Sequence, residues 1–338
     1  MQSQQGKRSV VVIGGGTGTY PILRGLKKYS DQVTITAIIT MADSGGSTGR
    51  LRDEFGQLPV GDVRMALTAL ASEVDEDDQL LRELFLYRFD KGEGLNGHNF
   101  GNLLMVALTQ ILGSEAEAVK AASRILRVKG TVLPVTEDDI HIAATYDDGV
   151  HVEGEHVIDE PPEDRYERHI VSFSTHPEGN ITKEAHEAIE NADLILLGPG
   201  DLYSSLLANC VVGGMPEAIQ HSKAKFVFAC NLMTRPGQTR DMSACDHVAE
   251  VAKYVRRMPD IVVINTGKVP EHLLERYAQA FQFPVVDDCT DDAPYQVIRE
   301  DLLSKEEVLR RKGDVLQRSL VRGDGDLFAQ LLMRILGS

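Results

Sequence analysis

The chain has 338 residues, 42% of them apolar and 25% charged, and this composition is typical of a soluble globular protein. Its 35 Lys and Arg residues are outnumbered by 51 Asp and Glu, and a formal charge of −16 argues against nucleic acid as a partner. No apolar run reaches the roughly 18 residues of a membrane helix. No charged-then-apolar leader precedes Val10, so we expect a cytoplasmic protein without membrane insertion.

The cysteines indicate neither a zinc ribbon nor a redox motif. There are four, none in the first 209 residues, and they are widely spaced: Cys210, Cys230, Cys245 and Cys289. Zinc ribbons and redox pairs need short C-x-x-C spacings. We therefore expect buried free thiols.

The first predicted element is a strand at residues 10–13 that runs into the glycine-rich loop at residues 14–18. After it, Thr19 is expected to cap a helix that carries Pro21 in its first turn. The helix amides and the positive end of its dipole would face an anion or ribose at the loop. The G-x-G-x-x-G fingerprint is not satisfied, because Thr19 or Pro21 occupies its last position. A glycine turn needed only for tight packing stays an alternative.

Further apolar runs alternate with helical patterns along the chain. Strands are predicted at residues 10–13, 33–39, 170–173, 194–197, 226–229, 261–264 and 285–286. This alternation favours an α/β, Rossmann-like fold with a mostly parallel sheet and helices on both faces. Residues 51–126 are mostly helical and are interrupted by a glycine-rich segment at residues 91–102, which predicts a helical layer that carries a functional loop.

One segment changes to a period of two. Residues 140–158 alternate on either side of Asp148-Gly149, which predicts a β-hairpin. A polar link follows through residue 169. Since no linker divides the sequence, we expect a single domain, residues 1–338, with a β insertion at residues 140–169.

Three more loops follow predicted strands, at residues 40–52, 192–206 and 230–241. Asp43 leads a glycine-hydroxyl loop at residues 40–52, where it could grip a ribose hydroxyl or cap Gly45-Gly46. Asn231, Thr234 and Arg235 lie in a polar loop at residues 230–241, and Arg235 could pair with phosphate or be a solvated surface side chain. Since the carboxyl ends of parallel strands share one edge, all these loops are predicted to flank one crevice.

The loop at residues 192–206 is the strongest phosphate candidate. Gly198-Pro199-Gly200 ends a buried strand, and the backbone of residues 202–205 with the hydroxyls of Ser204 and Ser205 supplies donors. Asp201 would repel a phosphate unless it faces away, caps the helix or holds a divalent ion such as Mg²⁺.

Seven ordered motifs resemble a single family. They are I-G-G-G-T-G with L-R-G-L-K, A-D-S-G-G-S-T-G-R-L-R, L-P-V-G-D-V-R, Y-R-F, G-H-N-F-G-N-L-L, A-D-L-I-L-L-G-P-G-D-L-Y-S-S and C-N-L-M-T-R-P-G-Q-T. From about Val10 to the C-terminal helix, the chain is similar to the YvcK (gluconeogenesis factor) branch of the CofD-like proteins, whose founding relative is 2-phospho-L-lactate transferase. The resemblance implies a Rossmann-like fold that binds a UDP-sugar such as UDP-N-acetylglucosamine. It also implies regulation of cell-wall synthesis, cell shape and gluconeogenic growth, without established turnover.

The resemblance further implies which residues contact the nucleotide ligand. These are Gly15, Gly16, Thr17, Gly18 and Thr19 in the first loop, Gly198, Gly200, Leu202, Tyr203, Ser204 and Ser205 in the third, Asn231 and Thr234 nearby, and Tyr277 and Arg322 with Asp324 at the base or sugar. A cell-wall regulatory protein and a second copy of the chain are the expected protein partners.

Several positions depart from the family pattern. Ser44 stands where a second Asp is common, which weakens a two-carboxylate Mg²⁺ site. Asp201 replaces the usual Ser, and Gly323 the usual His. Arg235 and Gln238 stand where Gln and Glu are common. These changes are expected to alter the ligand rather than abolish binding.

Two alternative functions remain open. In an Mg²⁺-dependent transferase of a phospho-organic acid from a nucleotide diphosphate carrier, Asp43 would be the catalytic base or a metal ligand. In a nicotinamide oxidoreductase, NAD would bind as a nucleotide mimic, an idea that rests on the opening glycines alone.

Overall fold

The computed structural model describes residues 6–305 and 320–337. The strands are β1 (Arg8–Gly14), β2 (Val33–Ile39), β3 (Thr131–Pro134), β4 (His141–Tyr146), β5 (His151–Glu153), β6 (Ile170–His176), β7 (Leu194–Leu197), β8 (Lys225–Ala229), β9 (Ile261–Asn265) and β10 (Gln296–Glu300). Seven of them form a sheet of order β10-β9-β8-β7-β1-β2-β3, in which all pairings are parallel. The predicted Rossmann-like α/β architecture is confirmed.

Helices connect and cover these strands. The α-helices are α1 (Gly16–Lys27), α2 (Gly46–Phe55), α3 (Gly61–Leu70), α4 (Glu76–Leu86), α5 (Phe100–Leu112), α6 (Glu115–Ile125), α7 (Glu155–Asp159), α8 (Lys183–Glu190), α9 (Ala208–Cys210), α10 (Met215–His221), α11 (Ala244–Val255), α12 (Glu271–Gln279) and α13 (Gly325–Gly337). A 3₁₀ turn spans Glu163–Arg165 and a π-helical turn Leu202–Leu207. Among the described residues, no helix is both long and apolar enough to cross a membrane.

The central strands are buried on both faces. Every residue of β7 is buried, as are residues 10–14 of β1, although successive side chains of a strand point to opposite faces. A continuous apolar run is typical of a parallel strand covered on both sides. This explains why the central strands were predictable from apolar runs alone.

The small β insertion is confirmed, but it recruits a third strand. β4 pairs antiparallel with β5 across the turn at Gly149, whose φ is +82°. β6 pairs antiparallel with the other edge of β4, so the prediction that residues 170–173 belong to the parallel sheet is wrong. The physical reason lies in the burial of β6, which is one-sided as in antiparallel sheets with one solvated face.

Two edge strands differ from the sequence prediction. Residues 285–286 form no strand, and Val286 is 66% exposed, while β10 occupies that edge of the sheet instead. β3 at the opposite edge was not predicted, since it has only two central apolar residues between Thr131 and Pro134 and is only partly buried.

The start of α1 also differs from the prediction. The helix begins at Gly16 with Gly15 as its N-cap, so Thr19 lies inside the helix and does not cap it. Its hydroxyl donates to the Gly15 carbonyl at 3.0 Å. The helix starts earlier than predicted because Gly16 and Gly18 are part of its first turn.

Candidate functional site

A cavity of about 790 Å³ opens at the carboxyl ends of the parallel strands. The carboxyl ends of five strands and the segments that follow them contribute to its wall, through Thr17, Asp43, Gly200, Asn231 and Asn265. The four loops predicted to flank one crevice therefore meet there. The glycine-rich segment between α4 and α5 adds Asn96 and Gly97 to the lining.

The start of α1, which contains Gly18, is in direct contact with the loop at residues 192–206. A Cβ atom added at Gly18 would overlap the Pro199 carbonyl oxygen and lie 2.9 Å from the Gly200 Cα. Asn231 ties in the next loop, because its Nδ2 donates to the Gly200 carbonyl at 2.8 Å. The glycine at position 18 is thus required for the two loops to approach each other.

The cavity is lined by only some of the residues expected to contact a ligand. Thr17, Gly18, Gly200, Ser204, Ser205, Asn231 and Arg322 line it, together with Asp43. Gly16 begins α1 next to them. Outside the lining lie Gly15, Thr19, Gly198, Leu202, Tyr203, Thr234, Tyr277 and Asp324.

Several residues outside the lining have clear structural partners. The Tyr203 hydroxyl donates to Glu250 at 2.9 Å, and Thr234 exchanges hydrogen bonds with the Phe283 backbone at 2.7 and 3.0 Å. The Tyr277 hydroxyl accepts from the amides of Leu320 and Val321 at 2.8 and 3.0 Å. It therefore holds the backbone immediately before Arg322.

Two further residues near the site have roles that the sequence did not indicate. The Ser205 amide, expected as a phosphate donor, bonds to the Asp201 carbonyl at 3.0 Å within the π-helical turn. Asp324 caps α13 by accepting from the amides of residues 326 and 327 at 2.9 and 3.1 Å. Gly323 lines the cavity, and an added Cβ would meet the Phe328 ring at 2.8 Å, so the aromatic ring occupies the space of a side chain there.

Two of the departures from the family pattern form one ion pair. Arg235 Nε lies 3.0 Å from Asp201 Oδ1, and Arg235 Nη2 donates to both carboxylate oxygens of Asp159 at 3.0 Å. The Arg235 side chain is only 15% exposed, so the interpretation as a solvated surface arginine is wrong. Burial raises the pKa of Asp201, and Arg235 opposes this effect by stabilising the ionised form. The charge that Asp201 brings to the cavity is thus compensated locally.

A second group of carboxylates surrounds Asp43. Asp43 Oδ1 accepts from the Gly45 amide at 3.0 Å, which is the capping role weighed for it. The Ser44 amide donates to Glu155 Oε2 at 3.3 Å, and the Ser44 hydroxyl accepts from the His156 amide at 3.0 Å. Ser44 therefore holds the Glu155 carboxylate of α7 beside Asp43. The sequence did not reveal Glu155 or Asp159, because both come from the β insertion, more than 100 residues further along the chain.

Burial changes the ionisation of this group. It raises the pKa of Asp43, and it raises the pKa of Glu155 well above its ordinary value, with the neighbouring Asp43 adding to the effect. Each proton that these two carboxyls retain removes one negative charge from the cavity wall.

Arginine side chains offset most of the negative charge of the cavity wall. Among the residues that the structure describes, the lining contains six Asp and Glu residues and five arginines, namely Arg50, Arg64, Arg88, Arg235 and Arg322. Arg64 is buried and donates to Asn102 Oδ1 at 2.6 Å, while Arg88 Nη1 donates to the Gly97 carbonyl at 2.7 Å. The helical layer thus orients cationic side chains at the cavity, which sequence spacing alone could not indicate.

We expect Glu155→Gln to stabilise the protein at pH 8 but not at pH 4. The folded state keeps a proton on Glu155 that the unfolded chain releases above about pH 4.5, since its folded pKa is raised. The stability of the wild type therefore falls as the pH rises from the unfolded pKa towards the folded one, and glutamine removes this loss. Thermal melting should show a midpoint roughly 1–3 °C higher at pH 8. The exposed Glu153→Gln serves as the control, and a lower midpoint for Glu155→Gln at pH 8 would contradict the assignment.

Comparison with known proteins agrees with this fold. The family described as 2-phospho-L-lactate transferase CofD matches residues 10–303. A putative gluconeogenesis factor of Thermotoga maritima is 44% identical over 268 residues, 79% of this chain and 82% of that protein. The gluconeogenesis factor of Bacillus subtilis is 37% identical over 309 residues, 90% of this chain and 94% of that protein.

The fold similarity extends over nearly the whole chain. A crystal structure of a UPF0052 family member from Bacillus halodurans superposes with a TM-score of 0.86 at 34% identity, covering 97% of this chain and 99% of that one. Because the family match spans residues 10–303 and sequence and fold agree, the chain belongs to the CofD family, and it is similar to the YvcK-like members named gluconeogenesis factors.

Proposed function

We propose that the cavity binds a nucleotide sugar of the UDP-N-acetylglucosamine type and that the protein is a regulator that responds to this ligand. The observation that carries the proposal is the meeting of several glycine-bearing loops around one cavity of about 790 Å³. This volume falls within the range of roughly 300–1,000 Å³ typical of small-molecule sites.

The chemistry of the wall suits a diphosphate next to neutral groups. The start of α1 and the hydroxyl of Ser205 offer donors of the kind that bind phosphate at helix N-termini. The Ser204 hydroxyl also lines the cavity, but it donates to Asp159 Oδ1 at 3.1 Å. Arg322 adds a positive charge at the wall. Asn231 and Asn265 provide amide groups suited to sugar hydroxyls or a base edge.

A regulatory role is supported by the relatives. Those of Thermotoga maritima and Bacillus subtilis carry names that describe a factor in gluconeogenesis rather than an enzyme. We infer that ligand binding reports precursor supply to a protein partner of cell-wall synthesis and so affects cell shape.

We expect UDP-N-acetylglucosamine to give a saturable calorimetric signal both with chelator and with Mg²⁺. Ser205→Ala should weaken binding about 10-fold, because a hydrogen bond to a charged phosphate contributes roughly 1.5–3 kcal/mol. The exposed Ser174→Ala on β6 is the matched control. The proposal fails if the wild type gives no signal under either condition.

A second candidate is an Mg²⁺-dependent transferase of a phospho-organic acid. It is favoured by one observation, the closeness of Glu155 to Asp43, with Asp159 acting electrostatically on both. Carboxylate oxygens are the ligands that Mg²⁺ prefers, and one or two of them with water molecules are enough, so Asp43 and Glu155 would hold the ion. Asp159 is instead paired with Arg235, and the three carboxylates do not all come within 4.8 Å of one another. Bound Mg²⁺ would neutralise negative charge on the transferred group.

Turnover separates the two candidates. A transferase would release nucleoside monophosphate from a nucleotide diphosphate carrier in the presence of Mg²⁺ and an acceptor. Asp43→Asn should then abolish release while it preserves ligand binding. If the wild type binds the nucleotide but releases no monophosphate, or if Asp43→Asn keeps full cellular complementation, the catalytic role is abandoned.

A further inference from the structure

Two cysteines that are distant in the sequence meet at the start of α11. The sulfur atoms of Cys245 and Cys289 lie 3.2 Å apart, and the Tyr295 hydroxyl lies 3.5 and 3.6 Å from them. All four cysteines are free thiols, as expected from the sequence, but their spacing did not indicate that these two meet. Cys245 is also only half-buried, whereas Cys289 is buried.

A carboxylate completes this group. A carboxylate oxygen of Asp288 and the two sulfur atoms all lie within 4.8 Å of one another. The Cys245 amide donates to Asp288 Oδ1 at 3.0 Å, which orients the carboxylate beside the thiols. The neighbouring Asp287 is instead engaged by Arg299, at 2.5 and 3.1 Å. The charge of Asp287 is thus compensated, while Asp288 faces the sulfur atoms.

We propose that Cys245, Cys289 and Asp288 bind one thiophilic divalent cation of the Zn²⁺ type. The fourth position falls to the Tyr295 hydroxyl or to water. Two thiolates and one carboxylate are a donor set that Zn²⁺ accepts, and tetrahedral bonds of about 2.3 Å place two sulfurs about 3.7 Å apart.

The sulfur separation favours a shared cation over a disulfide. To bind Zn²⁺ the sulfurs would move apart by about 0.5 Å, whereas a disulfide of about 2.05 Å would need them to approach by more than 1 Å. The carboxylate beside them has a role in a metal site and none in a disulfide.

Cation binding would displace protons. Burial, with the hydrogen bond to Cys245, raises the pKa of Cys289 to about 11, so that this thiol is protonated at neutral pH in the metal-free protein. For Asp288, hydrogen bonds from the Cys245 amide and Ser243 outweigh burial and lower the pKa, so this group is already ionised.

The proposed site would brace one wall of the cavity. It joins the start of α11 to residues 288–289, which lie before β10. Residues 283–285, just upstream, are hydrogen-bonded to the loop after β8. The Val285 amide donates to the Leu232 carbonyl at 3.0 Å, and the Thr234 amide donates to the Phe283 carbonyl at 2.7 Å. Leu232 lines the cavity. The cation would thus tie together the segments that support this loop, independently of which ligand the cavity takes.

Metal titration tests the proposal. The reduced, metal-free full chain is titrated with Zn²⁺ against a chromophoric chelator, and with Co²⁺ to detect thiolate-to-metal absorption. We expect one equivalent to bind with thiolate ligation, and saturating Zn²⁺ to raise the melting temperature. Cys245→Ser and Cys289→Ser should each weaken binding at least 100-fold, and Asp288→Asn at least 10-fold.

Matched variants and a redox measurement keep the result interpretable. Cys210→Ala removes a buried thiol elsewhere, and Asp292→Asn an exposed carboxylate nearby, and both should bind Zn²⁺ like the wild type. Circular dichroism verifies that each variant is folded. The proposal is overturned if the wild type binds no stoichiometric Zn²⁺, or if Asp288→Asn binds it equally well. It is also overturned if glutathione disulfide converts the pair to a disulfide equally fast with and without saturating Zn²⁺.

Discussion

Replacing Arg235 by glutamine should destabilise the protein by about 2–3 kcal/mol at pH 7. The variant leaves Asp159 and Asp201 close together without the cation that pairs with both. Breaking a buried pair costs roughly 3–5 kcal/mol. The expected value is smaller because the Asp201 side chain is 36% exposed and water screens its charge.

The effect should depend on pH in a defined direction. The folded pKa of Asp201 is already raised by burial, and losing Arg235 raises it further. The folded state then binds protons more readily than the unfolded state, so the deficit should shrink as the pH falls towards 5. Urea unfolding at pH 7 and pH 5, followed by circular dichroism, measures both values.

Two variants serve as comparisons for Arg235→Gln. Arg240→Gln removes an arginine whose partners, Glu167 and Asp241, are 80% and 74% exposed, and it should cost under about 0.5 kcal/mol. The double variant Asp201→Ser/Arg235→Gln should recover at least about 1 kcal/mol of the loss, because one unpaired carboxylate is gone. Equal losses for Arg235→Gln and Arg240→Gln would refute the compensation of Asp201.

Gly18→Ala should weaken nucleotide-sugar binding at least 10-fold and cost about 1–3 kcal/mol of stability. The added Cβ would overlap the Pro199 carbonyl oxygen, so α1 and the loop at residues 192–206 would have to separate. Alanine normally stabilises a helix relative to glycine by up to about 1 kcal/mol. A net loss therefore reports the steric conflict.

Calorimetry and thermal melting measure the two effects separately. Gly94→Ala is the control, because an added Cβ there meets no atom within 4 Å. The stability loss stands whatever ligand the cavity binds, whereas the affinity loss tests the proposed ligand site. Wild-type stability for Gly18→Ala would disprove the close contact between the two loops.

The predictable part of the fold follows from two-sided burial. β7, β8 and β9 are apolar at nearly every residue, as are residues 10–13 of β1, so local sequence identifies these strands whatever their neighbours are. The edges were less predictable. β10 has no buried residue and β3 has only two buried residues, so neither has a clear apolar pattern.

The loops of the site were predictable, but their electrostatics were not. Each loop appears in the sequence as an apolar strand that ends in glycine, amide or hydroxyl residues, and parallel strands bring such loops to one edge. The partners of the charged residues come from other parts of the chain. Glu155 approaches Asp43 only because the β insertion folds over the crevice, and nothing in the spacing of these residues indicates it.

The sequence by itself determined the α/β class, the central strands, the glycine loops and the family, because these depend on local periodicity and on ordered motifs. Only the tertiary structure decided which sheet β6 joins, that Arg235 compensates Asp201, and that Cys245 meets Cys289. The physical reason is that backbone conformation follows from neighbouring residues, whereas ion pairs and shared thiol sites depend on distances between side chains that chain folding alone brings together.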